Sequence, residues 1–148
     1  MLSYYIENKV HLSHWEPERT ADFYTEERWK LSLVQSRVAF ESGNEVKFAV
    51  INKQRTEVIG VCNFTNIVYG TFQACNLGSS IAKKHEGKGY MLESLEAAIN
   101  YMFTVVGPHR IMANYIVGNE RSGALLKRLG FENEGLAKSY LIPISIRS

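Results

Sequence analysis

Residues 83–91, K-K-H-E-G-K-G-Y-M, constrain this chain most: a short glycine-bearing turn between a strand-like run and an amphipathic helix. The first amides of a helix have no partner inside it, and the helix dipole adds positive charge at the same end. A turn of this kind therefore aims unpaired N–H groups at whatever anion lies in front of it. Glycine helps because no Cβ blocks close approach to the backbone. The segment is neither G-x-x-x-x-G-K-[ST] nor G-x-G-x-x-G. On its own it serves equally well as plain strand-to-helix punctuation.

The rest of the chain switches period around that turn. Leu2, Tyr5, Ile6 and Val10 suggest a short helix that His14-Trp15-Glu16-Pro17 breaks, since proline restricts the residue before it. Over residues 25–42 the pattern predicts a helix with Trp29, Leu33, Val34 and Val38 near one face and Gly43 as its stop. Val46, Phe48 and Val50 alternate as a strand, and residues 58–64 and 73–82 supply two more. Met91, Leu92, Leu95, Ile99, Met102 and Phe103 then recur at helical spacing, with Glu93, Glu96 and Asn100 turned outward. Gly107-Pro108 ends that helix, residues 110–116 read as a strand, and Asn119 is a good N-cap for a helix buried through Leu125, Leu126 and Leu129. A last apolar run, 140–146, is interrupted by Pro143. Antiparallel strands followed by strand–helix–strand–helix give a mixed α/β (α+β) sheet in one domain, residues 1–148.

Composition excludes several classes. A formal charge of +2 is too small for a nucleic-acid binder but suits a modest anionic ligand. Cys62 and Cys75 lack disulfide or zinc spacing and read as reduced, buried thiols. His11, His14, His85 and His109 show no metal spacing, so no metal is expected. No apolar run is long enough to span a bilayer and no leader pattern precedes the first helix, so the expectation is a cytoplasmic protein without a membrane partner.

A second segment, N-E-R-S-G-A-L-L-K-R-L-G-F at 119–131, raises the value of the first. Together, in this order, they resemble the coenzyme A site of the GNAT superfamily of N-acetyltransferases. That family carries [Q/R]-x-x-G-x-[G/A], whose central glycine matches Gly89; Glu86 and Met91 depart from it. Its later pattern, N-x-x-[SA]-x-x-x-[YL]-x-x-x-G-F, matches Asn119, Ser122, Leu126 and Gly130-Phe131. The resemblance implies a three-layer fold with a mostly antiparallel central sheet and acetyl-CoA as co-substrate. It implies that Gly87, Lys88, Gly89, Tyr90 and Met91 hold the pyrophosphate, with only the backbone of Glu86 useful there because a carboxylate repels phosphate. Ser79, Ser80 and Ile81 would align the pantetheine arm by backbone bonds, and Asn119 would lie beside it. Many members place an acidic tyrosine where this chain has Leu126, so Ser122 becomes the catalytic acid implied. The alternative for Ser122 is a hydroxyl bonded to its own helix backbone. Trp15 and Glu16 would line the acceptor groove by analogy, although a loop tryptophan as often packs. No carboxylate is assigned as base, and Asn114 stands where some relatives carry Glu.

Within the superfamily, residues 5–142 are similar to the ribosomal-protein N-terminal acetyltransferases of the RimJ and RimL types. The stretches are His14-Trp15-Glu16-Pro17, 58–64, 110–115, Arg121-Ser122 and 128–132. The implied reaction is acetyl transfer to a primary amine, foremost a protein N-terminus. A small-molecule amine, or a silent CoA-binding module, are the alternatives. Set against the family pattern, the chain lacks the first strand, most of the first helix and the closing strand. An edge at residues 110–116 would then stay unpaired, which predicts cover by the 140–146 tail or by a second chain, hence a homodimer.

Overall fold

The computed structural model describes residues 1–71, 73–116, 118–134 and 141–147; Tyr140 of the tail lies outside them. The described elements run α1 (Leu2–Glu7), α2 (Lys9–Ser13), α3 (Glu26–Glu41), β1 (Val46–Ile51), β2 (Val58–Val68), β3 (Ala74–Ile81), α4 (Tyr90–Tyr101), β4 (Arg110–Ile116), α5 (Glu120–Arg128), β5 (Glu132–Asn133) and β6 (Leu141–Arg147). One sheet holds all six strands in the order β1-β2-β3-β4-β6-β5. Every pairing is antiparallel except β3 with β4. That exception follows from α4, which carries the chain back across the sheet between them.

Strand alternation makes the layers. Cys62 and Phe64 of β2 point into the main core with Cys75, Leu77, Leu95, Met102 and Ile111. Val61, one residue before Cys62, points the other way and packs with Tyr4, Tyr5, Leu12 and Ala82. Successive side chains on a strand face opposite sides, so α4 covers one face of the sheet while α1 and α2 cover the other. Buried Asn8 fixes the second layer in place: its Nδ2 donates to the Tyr4 carbonyl at 2.9 Å and its Oδ1 accepts from the Lys83 amide at 3.0 Å. Burial pushes the Cys62 thiol up to about 12 and that of Cys75 up to about 11, and both are free.

Two expectations change. The tail forms a strand: β6 pairs with β4 over its whole length, from Arg110 opposite Arg147 to Ile116 opposite Leu141, with Pro143 opposite Asn114. A closing strand is therefore present, the 110–116 edge is covered from within, and the premise of the homodimer falls. At the other end of the sheet β1 is the outermost strand among the described residues.

The second change concerns α3. Its span and its Thr25 cap, whose hydroxyl accepts from the Arg28 amide at 3.3 Å, match the sequence pattern. Its face does not. Leu33, Val34 and Val38 are 61%, 61% and 57% exposed. The half-buried positions are Arg28, Trp29, Ser32, Ser36 and Ala39. Trp29 with Leu33, and Val34 with Val38, are i,i+4 pairs on two different sides of a helix, so the four do not share one stripe.

Candidate active site

The site begins where the sheet opens. β3 and β4 pair from Ala74 opposite Arg110 to Leu77 opposite Ala113, and there the parallel ladder stops. Gly78, Ser79, Ser80 and Ile81 remain paired to β2 on their other side. Beyond Leu77 the β4-facing N–H and C=O groups of β3 thus border a gap instead of a strand, and unpaired ladder groups seek a partner. Two cavities flank this gap. The larger, about 940 Å³, is lined by Ser79 to Ile81, the glycine turn, the start of α4 and the start of α5. The smaller, about 320 Å³, lies against Tyr5, Arg19, Asn63, Gly78 and Ala113. Trp15, Glu16, Ser79, Asn114 and Ser122 line both.

At the glycine turn, Gly87 and Gly89 take φ of 73° and 80° and line the larger cavity. A Cβ at either would meet nothing within 4 Å. The two glycines thus leave an open cradle at the N-terminus of α4. The first bond to Gly89 comes from the Glu93 amide, so the amides of Tyr90, Met91 and Leu92 precede the intrahelical ladder. An anionic diphosphate fits such a cradle. Tyr90 and Met91 also line the cavity, Met91 with its side chain largely in the core; Lys88 is exposed and is not part of the lining.

Glu86 differs from what its sequence suggests. Its carboxylate does face the larger cavity, and it is partnered there: His11 Nε2 lies 2.8 Å away and the Arg121 guanidinium forms an ion pair with it. These partners stand 75 and 35 residues away in sequence, and no local pattern signals either one. The cluster joins α2, the glycine turn and α5 across one wall of the cavity.

At the opening of α5, the Asn119 Oδ1 accepts from the Ser122 amide at 3.3 Å, which makes Asn119 a cap as well as a lining residue. Ser122 is half-buried and borders both cavities. Among the described residues its hydroxyl makes no bond to its own helix, whereas the Ser94 and Ser42 hydroxyls each bond the carbonyl four residues back. Ser80 is engaged on the opposite layer, with its Oγ 2.7 Å from the Tyr4 hydroxyl. Burial is the main reason the Tyr4 phenol sits well above its usual range. No group of three or more His, Cys, Asp or Glu among the described residues is placed to hold a metal ion.

Residues 5–132 match the family model for an acetyltransferase (GNAT) domain. The chain belongs to this family. It is 46% identical over 142 residues to the [ribosomal protein uS5]-alanine N-acetyltransferase of Escherichia coli strain K12, which covers 96% of this chain and 73% of the relative. Its structure superposes on that of the ribosomal-protein-S5-alanine acetyltransferase from Vibrio fischeri with a TM-score of 0.96 at 34% identity, over 99% of this chain and 85% of that one. It also has the fold of Mycobacterium smegmatis RimJ, solved with CoA-disulfide: TM-score 0.92, 23% identity, 99% and 75% covered. The chain is thus an N-acetyltransferase that takes its acetyl group from acetyl-CoA, and the silent module is set aside. Family membership fits the open cradle and the split sheet found independently in the geometry.

Proposed function

We propose that this protein acetylates the α-amine of a protein N-terminus in the cytoplasm, with the cofactor in the larger cavity and the amine entering through the smaller one. The observation that carries this reading is that two cavities border one gap and share Ser79, Asn114 and Ser122. A donor held in one cavity and an acceptor held in the other would meet at those shared residues. The resemblance at 46% identity to an alanine N-acetyltransferase of a ribosomal protein supports the choice of acceptor. Charge supports it too. Among the described residues the smaller cavity offers one carboxylate, Glu16, and one guanidinium, Arg19. A polyamine carries several cations and calls for several carboxylates, so this balance favours a single amine attached to a polar, largely neutral chain.

When bound, acetyl-CoA supplies an activated thioester. The amides at the start of α4 and in the glycine turn hold its diphosphate, as dipole and unpaired N–H groups require. The gap-facing backbone of Ser79 to Ile81 aligns the arm and polarises the carbonyl. Ser122, its hydroxyl not tied to its own helix, stands ready to give a proton to the departing sulfur. Ser122→Ala should lower turnover about ten- to a thousandfold, at or below the usual worth of general acid catalysis, while acetyl-CoA affinity stays nearly intact. An equal loss of affinity, or no loss of rate, would leave Ser122 a structural residue.

The test of the acceptor is a thiol-release assay with acetyl-CoA, comparing alanine-initiated peptides with polyamines and free amino acids. Mass spectrometry should place one acetyl group on the peptide α-nitrogen. Faster turnover of a polyamine than of every peptide would overturn the reading.

A further inference from the structure

Glu16 is the only carboxylate that lines both cavities among the described residues, and nothing in the cofactor-binding machinery needs it. The other two carboxylates of the larger cavity, Glu86 and Glu120, do not border the smaller one. The side chain of Glu16 is 24% exposed, so it is partly desolvated yet reachable. Its partner is Arg19, whose Nη2 lies 3.1 Å from the carboxylate. Arg19 is in turn held by aromatic faces, its guanidinium carbon 4.2 Å from the Phe23 ring centre and 5.3 Å from that of Tyr5. Stacking of this kind fixes a guanidinium while leaving its edge available for hydrogen bonds.

We propose that Glu16 is the residue that receives the acceptor's ammonium and takes its first proton, with Arg19 as the fixed counter-charge that orients it. The proposal rests on the reading of the smaller cavity as the acceptor side. An α-amine near its ordinary pKa, about 8, is mostly protonated at neutral pH and cannot attack until it loses a proton. A carboxylate paired with an arginine that stacks on Phe23 and Tyr5 binds that ammonium and returns the proton to solvent through the open mouth. The atoms balance. The ammonium gives one proton to Glu16, and the freed lone pair forms the new C–N bond as the thioester C–S bond breaks. A second proton leaves the nitrogen and ends on the thiol, by way of Ser122. Arg19 has a further consequence: its remaining N–H donors face a cavity where an acceptor's first peptide carbonyl would lie, and a polyamine has no carbonyl to offer.

Groups from several elements face Glu16 across the two cavities. Arg19 comes from the same loop, and Tyr4 and Tyr5 from α1, where the Glu16 charge adds to burial in keeping both phenols protonated. Ser79, Asn114 and Ser122 come from β3, β4 and α5, and none of them titrates near neutral pH. On its other side Glu16 shares the larger cavity with His11, His14, His85, Glu86, Glu120 and Arg121, of which Glu86 is partnered by His11 and Arg121. The ordinary pKa of the amine, about 8, sets where the need for Glu16 should fade.

The experiment uses the full chain, acetyl-CoA and whichever amine the wild type accepts best, so failure to use a peptide sinks the acceptor reading without touching this one. Glu16→Gln should lower turnover at pH 7 by about a hundredfold, within the usual range for general base catalysis. The loss should shrink steadily as pH rises past about 8, where the amine deprotonates unaided. Acetyl-CoA affinity by calorimetry should not change. A second acceptor whose amine is already neutral at pH 7 should lose less than about tenfold, a split that a merely structural role would not produce. Glu16→Asp, which keeps the charge, should retain the pH limb. Equal loss for both amines, a loss independent of pH, or full activity in Glu16→Gln would overturn the proposal.

Discussion

α4 and α3 are both well-formed amphipathic candidates by sequence, yet the protein uses them in opposite ways. α4 buries Met91, Leu95, Ala98 and Ile99 against the sheet and opens at the glycine turn, so the packing that holds it also aims its N-terminus into the cofactor cavity. α3 buries no residue fully, and it leaves Leu31, Leu33, Val34, Val38 and Phe40 more than half exposed. The difference shows that periodicity reports a helix but not the surface that will cover it. Only a helix clamped along its length can hold an anion site at fixed geometry. α3 is instead fastened at its start, through Trp29 stacked on Tyr5 at 5.2 Å between ring centres.

The comparison is broken most sharply from its packed side. Leu95 is fully buried at the centre of the main core. Leu95→Ala should cost about 2–5 kcal/mol, the range for a leucine truncated in a close-packed interior. Chemical unfolding measures it, and a loss under about 1 kcal/mol would mean that α4 is not the clamp described here. Gly89→Val comes next. Its φ of 80° strains any β-branched residue, and its Cβ would project into the cradle rather than into protein. Acetyl-CoA affinity should fall by about 1–3 kcal/mol through displaced amide contacts, with a smaller change in stability. Unchanged affinity would remove the phosphate reading of the turn.

Why the sequence disclosed the helices α3 and α4 but not the face that α3 buries or the full pairing of the tail is a matter of range. The glycine turn, the Asn119 cap and the buried stripe of α4 are local: each depends on residues within a few positions of one another. The split of the sheet is not local. That β3 leaves β4 after Leu77 depends on how two strands more than thirty residues apart diverge, and nothing within either strand encodes it. Glu86 looked awkward beside a diphosphate because its partners, the His11 imidazole and the Arg121 guanidinium, come from distant elements. Pro143 argued against a strand, yet β6 accommodates it opposite Asn114, since a proline is tolerated where its missing N–H is not required by a neighbour. Glu16 was expected along the acceptor groove by analogy alone, and its place on the lining of two cavities needed the fold.

The thiols sharpen the same contrast at smaller cost. Burial raises Cys62 to about 12 and Cys75 to about 11, above the ordinary thiol value, so both stay protonated in the folded core. The sign follows: a folded-state pKa above the unfolded one contributes stability that is present below about pH 9 and is lost as pH rises toward 11 and 12. Thiol reagents at neutral pH should therefore leave both cysteines unmodified until the core opens. Rapid labelling of either one under native conditions would show that the layer beneath α4 is loosely packed.

The smallest effect is expected on α3, and it decides whether the comparison holds in solution. Val34 stands more than half exposed, with Lys30 one turn before it and Arg37 three residues after. Val34→Glu removes an exposed β-branched side chain, supplies a better helix former and places a negative charge between two positive ones. Its effect on unfolding should stay within about 0.5 kcal/mol, the usual range for surface changes, and should lean towards stabilisation. The same exchange at Leu95 would leave a buried charge unpaired and prevent folding. A loss above about 1 kcal/mol at Val34 would mean that this side of α3 is covered in the native protein. The two helices would then differ in what covers them, not in whether they are covered.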